Sequence, residues 1–109
     1  MTVDLPGILQ KYFQAQNAHD IEAMVACFAA DGTVHDEGRN IIGVDAIRAW
    51  KVETSAKYCI TAEPLECRPE AGKTIVVAKV SGTFPGSPAN LTYRFGISAD
   101  GRIRTLEIQ

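Results

Sequence analysis

QKYFQAQNAHDIEAMVACFAADGTVHDEGR, residues 10–39, is the stretch from which the fold is read. Ile8, Leu9, Tyr12, Phe13 and Gln16 recur at helical spacing. Upstream, Asp4 is placed to cap this first helix, with Pro6 in the first turn, where its missing N–H costs little. Asn17-Ala18-His19 breaks the helix. Asp20 is the expected N-cap of a second one, with Glu22 in the first turn favoured by the helix dipole. Ile21, Met24, Val25 and Phe28 form its apolar face, and Ala29-Ala30-Asp31-Gly32 is read as its end, Gly32 suiting a left-handed turn. A short strand, Thr33–Glu37, then brings His35 and Asp36 to the rim of a core.

Beyond this stretch, Gly38-Arg39-Asn40 reads as a loop, and Ile41-Ile42 leads to Gly43. A third helix is expected from about Val44 to Lys57, with Ile47 and Trp50 on one face. From Tyr58 the period changes to two. Strands are expected at 59–69, weakened by Pro64, at 74–84, at 91–98 and at 102–108, with turns at Glu70-Ala71-Gly72-Lys73 and Ala99-Asp100-Gly101. Leu91, Tyr93, Phe95 and Ile97 alternate with Thr92, Arg94, Gly96 and Ser98, so the first set faces inward. Helices followed by hairpin-linked strands mean α+β, with one curved antiparallel sheet wrapped around three helices. Such a cone leaves a cavity at its open end, suited to a small ligand.

At 109 residues the chain is read as one domain, 1–109. Hydrophobic residues make up 46% and charged residues 22%, and the net charge is -2, which steers it neither to nucleic acid nor to an anionic membrane. No apolar run is long enough to span a bilayer, and the N-terminus lacks a secretion signal, so a cytoplasmic location is expected. Cys27, Cys59 and Cys67 form no C-x-x-C pair and are read as reduced, small hydrophobes. His19 and His35 have no metal-ligand spacing, so neither a metal nor a cofactor is expected.

The sequence motifs resemble the nuclear transport factor 2-like superfamily, and within it the SnoaL-like polyketide cyclase and ketosteroid isomerase branches. The resemblance lies in Asn17-Ala18-His19-Asp20, Phe28-Ala29-Ala30-Asp31, the acidic strand residue Asp36, and Gly43-Val44-Asp45-Ala46-Ile47 opening a helix. It covers the first half closely and the β half in strand order and lengths. It implies a cone-shaped α+β barrel of the cystatin-like kind and a small apolar ligand. In ketosteroid isomerases an aspartate on this strand is the general base, which implies that role for Asp36. A tyrosine on the first helix donates to the developing enolate, and Tyr12 matches it. An aromatic residue on the third helix lines the pocket, and Trp50 matches it. The second, protonated aspartate of that family is replaced here by Tyr93, a departure that leaves a phenol as the other donor.

Proton abstraction next to a carbonyl needs a carboxylate beside an apolar wall and a donor across the cavity. Val34 and Asp36 share one strand face, which Val34 marks as inward; His35 has the opposite parity and points away. The expected site is therefore Asp36 with Tyr12 and Tyr93, and a pocket of Trp50, Val34, Phe28, Phe95 and Tyr58. The plainer alternatives are a solvated acid at a strand end and core tyrosines bonded to backbone or water. The corresponding functions are a cofactor-independent isomerase, lyase or cyclase, or a non-catalytic ligand-binding or dimerisation module of the same fold. Arg94, Arg102 and Arg104 read as a solvated outer face; the superfamily's outer sheet face commonly meets a second subunit, which implies instead a homodimer contact there with Glu107.

Overall fold

The computed structural model describes residues 5–36 and 38–109. The expected cap at Asp4 and the strand end at Glu37 lie outside the described residues. The elements follow as α1 (Gly7–Asn17), α2 (Ile21–Ala26), β1 (Phe28–Asp36), β2 (Arg39–Ile42), α3 (Val44–Tyr58), β3 (Thr61–Glu70), β4 (Lys73–Ser81), β5 (Ala89–Ile97) and β6 (Ile103–Ile108).

Helix α1 buries Leu9, Tyr12, Phe13 and Gln16, the face set by its periodicity. His19 takes a left-handed turn (φ 55°) after it. The Asp20 carboxylate then accepts from the Ala23 N–H at 3.1 Å and caps α2. Helix α2 is shorter than the sequence suggests. Phe28, expected on its apolar face, instead opens β1. Tertiary pairing decides this: the Cys27 carbonyl accepts from the Ile103 N–H at 2.8 Å, and Phe28 pairs with Ile103. The register shifts between Phe28 and Thr33, so Ala29–Gly32 form a bulge within β1 rather than a helix end. Gly32 is needed there for space, not for a left-handed turn. A Cβ on it would sit 3.0 Å from the Ala29 carbonyl oxygen and 3.3 Å from the Phe28 ring.

The six strands run in the order β2-β1-β6-β5-β4-β3. The sheet is mixed, not wholly antiparallel: β1 and β6 are parallel, and the other pairings are antiparallel. Arg39–Ile42, read partly as a loop, is the edge strand β2, pairing Asp36 with Arg39.

Two cross-strand rows set the inner face. Val34 pairs with Leu106 and Leu106 with Phe95, and all three are buried. One pleat further, Asp36 pairs with Ile108 and Ile108 with Tyr93. The first row is the floor of the core and the second its rim. Tyr12 packs edge-on against Phe13, Phe28 and Phe95, with ring centroids 5.4, 5.8 and 5.7 Å apart. Among the described residues no helix is long and apolar enough to cross a membrane.

Candidate ligand cavity

A cavity of about 440 Å³ opens over the second row. Helix α1 contributes Tyr12 and Gln16, and β1 contributes Asp36. Helix α3 contributes Trp50, Lys51, Thr54 and Tyr58. The sheet supplies Val80, Leu91, Tyr93 and Ile108, and the connecting segments supply Ile60, Phe84 and Pro85. Tyr58 and Phe84 meet edge-on at 6.2 Å; both are half-buried and form part of the rim.

Of the residues the sequence singles out, Asp36, Tyr12, Tyr93, Trp50 and Tyr58 are brought together on this cavity. Val34, Phe28 and Phe95 are not on its lining. They are buried in the core, where Phe28 and Phe95 pack against the Tyr12 ring. His35 is exposed on the opposite sheet face, its Nδ1 2.6 Å from the Asn40 Oδ1. Asp36 and Tyr93 flank Ile108 from neighbouring strands, which puts their backbones about 10 Å apart at ordinary strand spacing.

Lys51 is the residue the sequence reading passed over. It is 4% exposed, yet its Nζ donates to Tyr12 Oη at 2.5 Å and to Gln16 Oε1 at 3.0 Å. Gln16 is oriented in turn by donating from Nε2 to the Ile60 carbonyl at 3.3 Å. The ammonium lies over two rings, 4.5 Å from the Trp50 centroid and 4.7 Å from that of Tyr12. Its signal was present in the spacing. Ile47, Lys51, Thr54 and Tyr58 fall at i, i+4, i+7 and i+11, one face of α3. A lysine in an apolar stripe is normally read as solvated, because its long stem reaches water; here the cone closes around it.

Burial sets the protonation states. Desolvation lowers the Lys51 pKa from 10.5 to about 7, with the Asp36 carboxylate and Cys27 opposing the shift. Burial raises the Tyr12 pKa well above its ordinary value, and Tyr93, Cys27 and Asp36 add to it. Burial, with Asp36 next, raises Tyr93 as well. Both phenols therefore stay protonated and remain donors. Because Tyr12 Oη accepts from Lys51, its own proton is available to a cavity ligand.

The sequence matches the profile of the SnoaL-like domain over residues 9–105. The chain belongs to the SnoaL-like domain family, within the nuclear transport factor 2-like superfamily. Comparison with curated protein sequences gives no match. Among solved structures, a candidate polyketide cyclase from Sinorhizobium meliloti is 49% identical, with 97% of this chain and 96% of that one covered at a TM-score of 0.92. A Catenulispora acidiphila protein with a ketosteroid isomerase-like fold, in complex with trimethylamine, is 20% identical over 97% of this chain and 86% of that one, at a TM-score of 0.84. SalBIII, an epoxide hydrolase/cyclase-like enzyme of pyran ring formation in salinomycin, is 21% identical over 93% and 85%, at a TM-score of 0.79. The last two likenesses are of fold. In this SnoaL-like domain no group of three His, Cys, Asp or Glu residues among those described is placed to hold a metal ion.

Proposed function

We propose that this SnoaL-like domain binds a small apolar carbonyl compound in the cavity and abstracts a proton next to the carbonyl. Asp36 is the base, and Tyr12 and Tyr93 donate to the developing enolate oxygen. The observation that carries the reading is the arrangement of one carboxylate and two buried, protonated phenols around one apolar cavity. A phenol needs no environmental tuning to be a neutral donor at pH 7, whereas a carboxylic acid does. Tyr93 in place of the family's second acid therefore keeps the donor and loses only the need to hold an acid protonated. Lys51 acts here through Tyr12, fixing its hydroxyl. The 49% identity to a candidate polyketide cyclase supports the same class of chemistry.

The test is exchange of α-protons of an apolar ketone such as 2-tetralone in deuterium oxide. Asp36→Asn is expected to lower the catalysed rate by about a hundredfold or more. Equal background rates for wild type and variant would sink the enzymatic reading. Saturable quenching of Trp50, the chain's one tryptophan, without any exchange would favour the alternative, a ligand-binding module.

We propose that the outer sheet face is the homodimer contact. On that face Ile75 is already covered within the chain, and its cross-strand partners Arg68 and Arg94 present the available, charged surface. Beside it lie the ion pairs Arg94–Glu70 at 3.6 Å and Lys73–Glu107 at 3.4 Å. Arg102 and Arg104 instead meet Asp100 at 4.0 Å and Asp31 at 3.7 Å. Sedimentation that shows only monomer at micromolar concentration would remove the dimer.

A further inference from the structure

A lysine in an apolar cavity is a stronger nucleophile toward carbonyl carbon than one in water, because only the neutral amine carries a free electron pair. Lys51 lines the cavity with its Nζ held by two named partners, Tyr12 Oη and Gln16 Oε1, so its position is fixed rather than averaged over rotamers. We propose that Lys51 is a covalent attachment point that forms an iminium with an aldehyde or ketone bound in this cavity. The proposal rests on the reading of the cavity as a site for small carbonyl compounds; it does not need Asp36 to be a base.

The Nζ electron pair forms a C–N bond to the carbonyl carbon while the carbonyl π pair moves to oxygen. One proton passes from nitrogen to that oxygen, and Tyr12 Oη, 2.5 Å from Nζ, is placed to relay it. A second proton, from solvent at the rim, lets the hydroxyl leave as water as the nitrogen pair closes the C=N bond. The products are one cationic iminium and one water. The faces of Trp50 and Tyr12, which the ammonium already overlies at 4.5 and 4.7 Å, hold that positive charge. An iminium draws electrons more strongly than the parent carbonyl, so a proton on the adjacent carbon becomes easier for Asp36 to remove. Burial supports the scheme by bringing the Lys51 pKa down to about 7, which leaves a large neutral fraction at neutral pH.

The experiment uses the full chain at pH 7 with 2-naphthaldehyde and cyanoborohydride, which delivers hydride to the iminium carbon. Peptide mass spectrometry then locates the adduct, which adds the mass of the aldehyde less one oxygen. The chain has five lysines, and Lys11, Lys57, Lys73 and Lys79 are exposed or half-buried internal controls. Labelling of Lys51 is expected to exceed each of these by about tenfold or more. It should vanish in both Lys51→Arg and Lys51→Met. Uniform or absent labelling overturns the proposal, and the wild-type comparison decides this even where a variant fails to fold. A parallel titration with 2-naphthalenemethanol, followed through Trp50 emission, separates the two readings. If the alcohol quenches Trp50 but the aldehyde is not trapped at Lys51, the amine chemistry fails and the cavity stands. If neither compound affects Trp50, the cavity reading fails and the proposal falls with it.

Discussion

Lys51 Nζ and Tyr12 Oη lie 2.5 Å apart, joined by a hydrogen bond between residues 39 positions distant in the chain. This contact ties α3 to α1 beside the cavity. Tyr12→Phe should leave the aromatic packing with Phe13, Phe28 and Phe95 in place while removing one of the two acceptors of a buried ammonium. A loss of about 1–3 kcal/mol in unfolding free energy is expected, read from urea denaturation. Ligand exchange chemistry should fall with it.

The same amine gives a pH dependence of stability. The folded pKa of Lys51 lies below its ordinary value, so between the two the unfolded chain binds more protons. Stability must then rise with pH through this window and be lowest below pH 7. Groups facing the amine are Asp36, Cys27, Tyr12 and Gln16, and of these Cys27 and Tyr12 ionise only above their ordinary values. From pH 7 to 8.5 the gain should be about 2 kcal/mol. Lys51→Met should flatten it. Parallel denaturation curves for the two proteins at pH 7 and 8.5 are the check; equal slopes would mean that the amine is not desolvated.

Asn17 should prove one of the costliest polar side chains to remove. Its Nδ2 donates to the Ala62 carbonyl at 2.9 Å and its Oδ1 accepts from the Ala62 N–H at 2.7 Å. The side chain thus pairs with the edge strand β3 as a neighbouring strand would, which also guards that edge. Asn17→Ala should cost about 2 kcal/mol, and Asn17→Asp, which keeps only the acceptor, should not restore it. Thermal denaturation of both variants at one pH measures this.

Gly96 is required by its neighbour. A Cβ there would collide with the Thr105 hydroxyl on β6. Gly96→Ala should destabilise by about 1–3 kcal/mol, and adding Thr105→Ala should recover much of it. A double-mutant cycle that shows simple additivity would contradict the close approach.

The expectations from the sequence fared differently for physical reasons. The Asp20 cap, the inward faces of α1 and β5 and the start of α3 at Val44 all rest on neighbours within one turn or one pleat, and each is observed. Phe28 went the other way. Its helical spacing from Val25 and Met24 is genuine, but pairing with Ile103, far along the chain, wins. The outline of the candidate site was legible because Tyr12, Trp50 and Tyr93 lie on periodic apolar faces and Asp36 shares the parity of Val34. Val34, Phe28 and Phe95 obey the same periodicity but sit one layer deeper, a difference of depth that periodicity does not carry.

By itself the sequence determined the inward faces of α1 and β5, because side-chain direction there follows from period and parity. It determined the α+β order of elements and the family to which the chain belongs. Tertiary structure alone decided that β1 lies parallel to β6, which places Asp36 and Tyr93 on either side of Ile108. It alone decided that the Lys51 amine is shut away from water. Desolvation depends on what closes over a group from every side, and the covering groups, from Tyr12 to Tyr93, come from all parts of the chain.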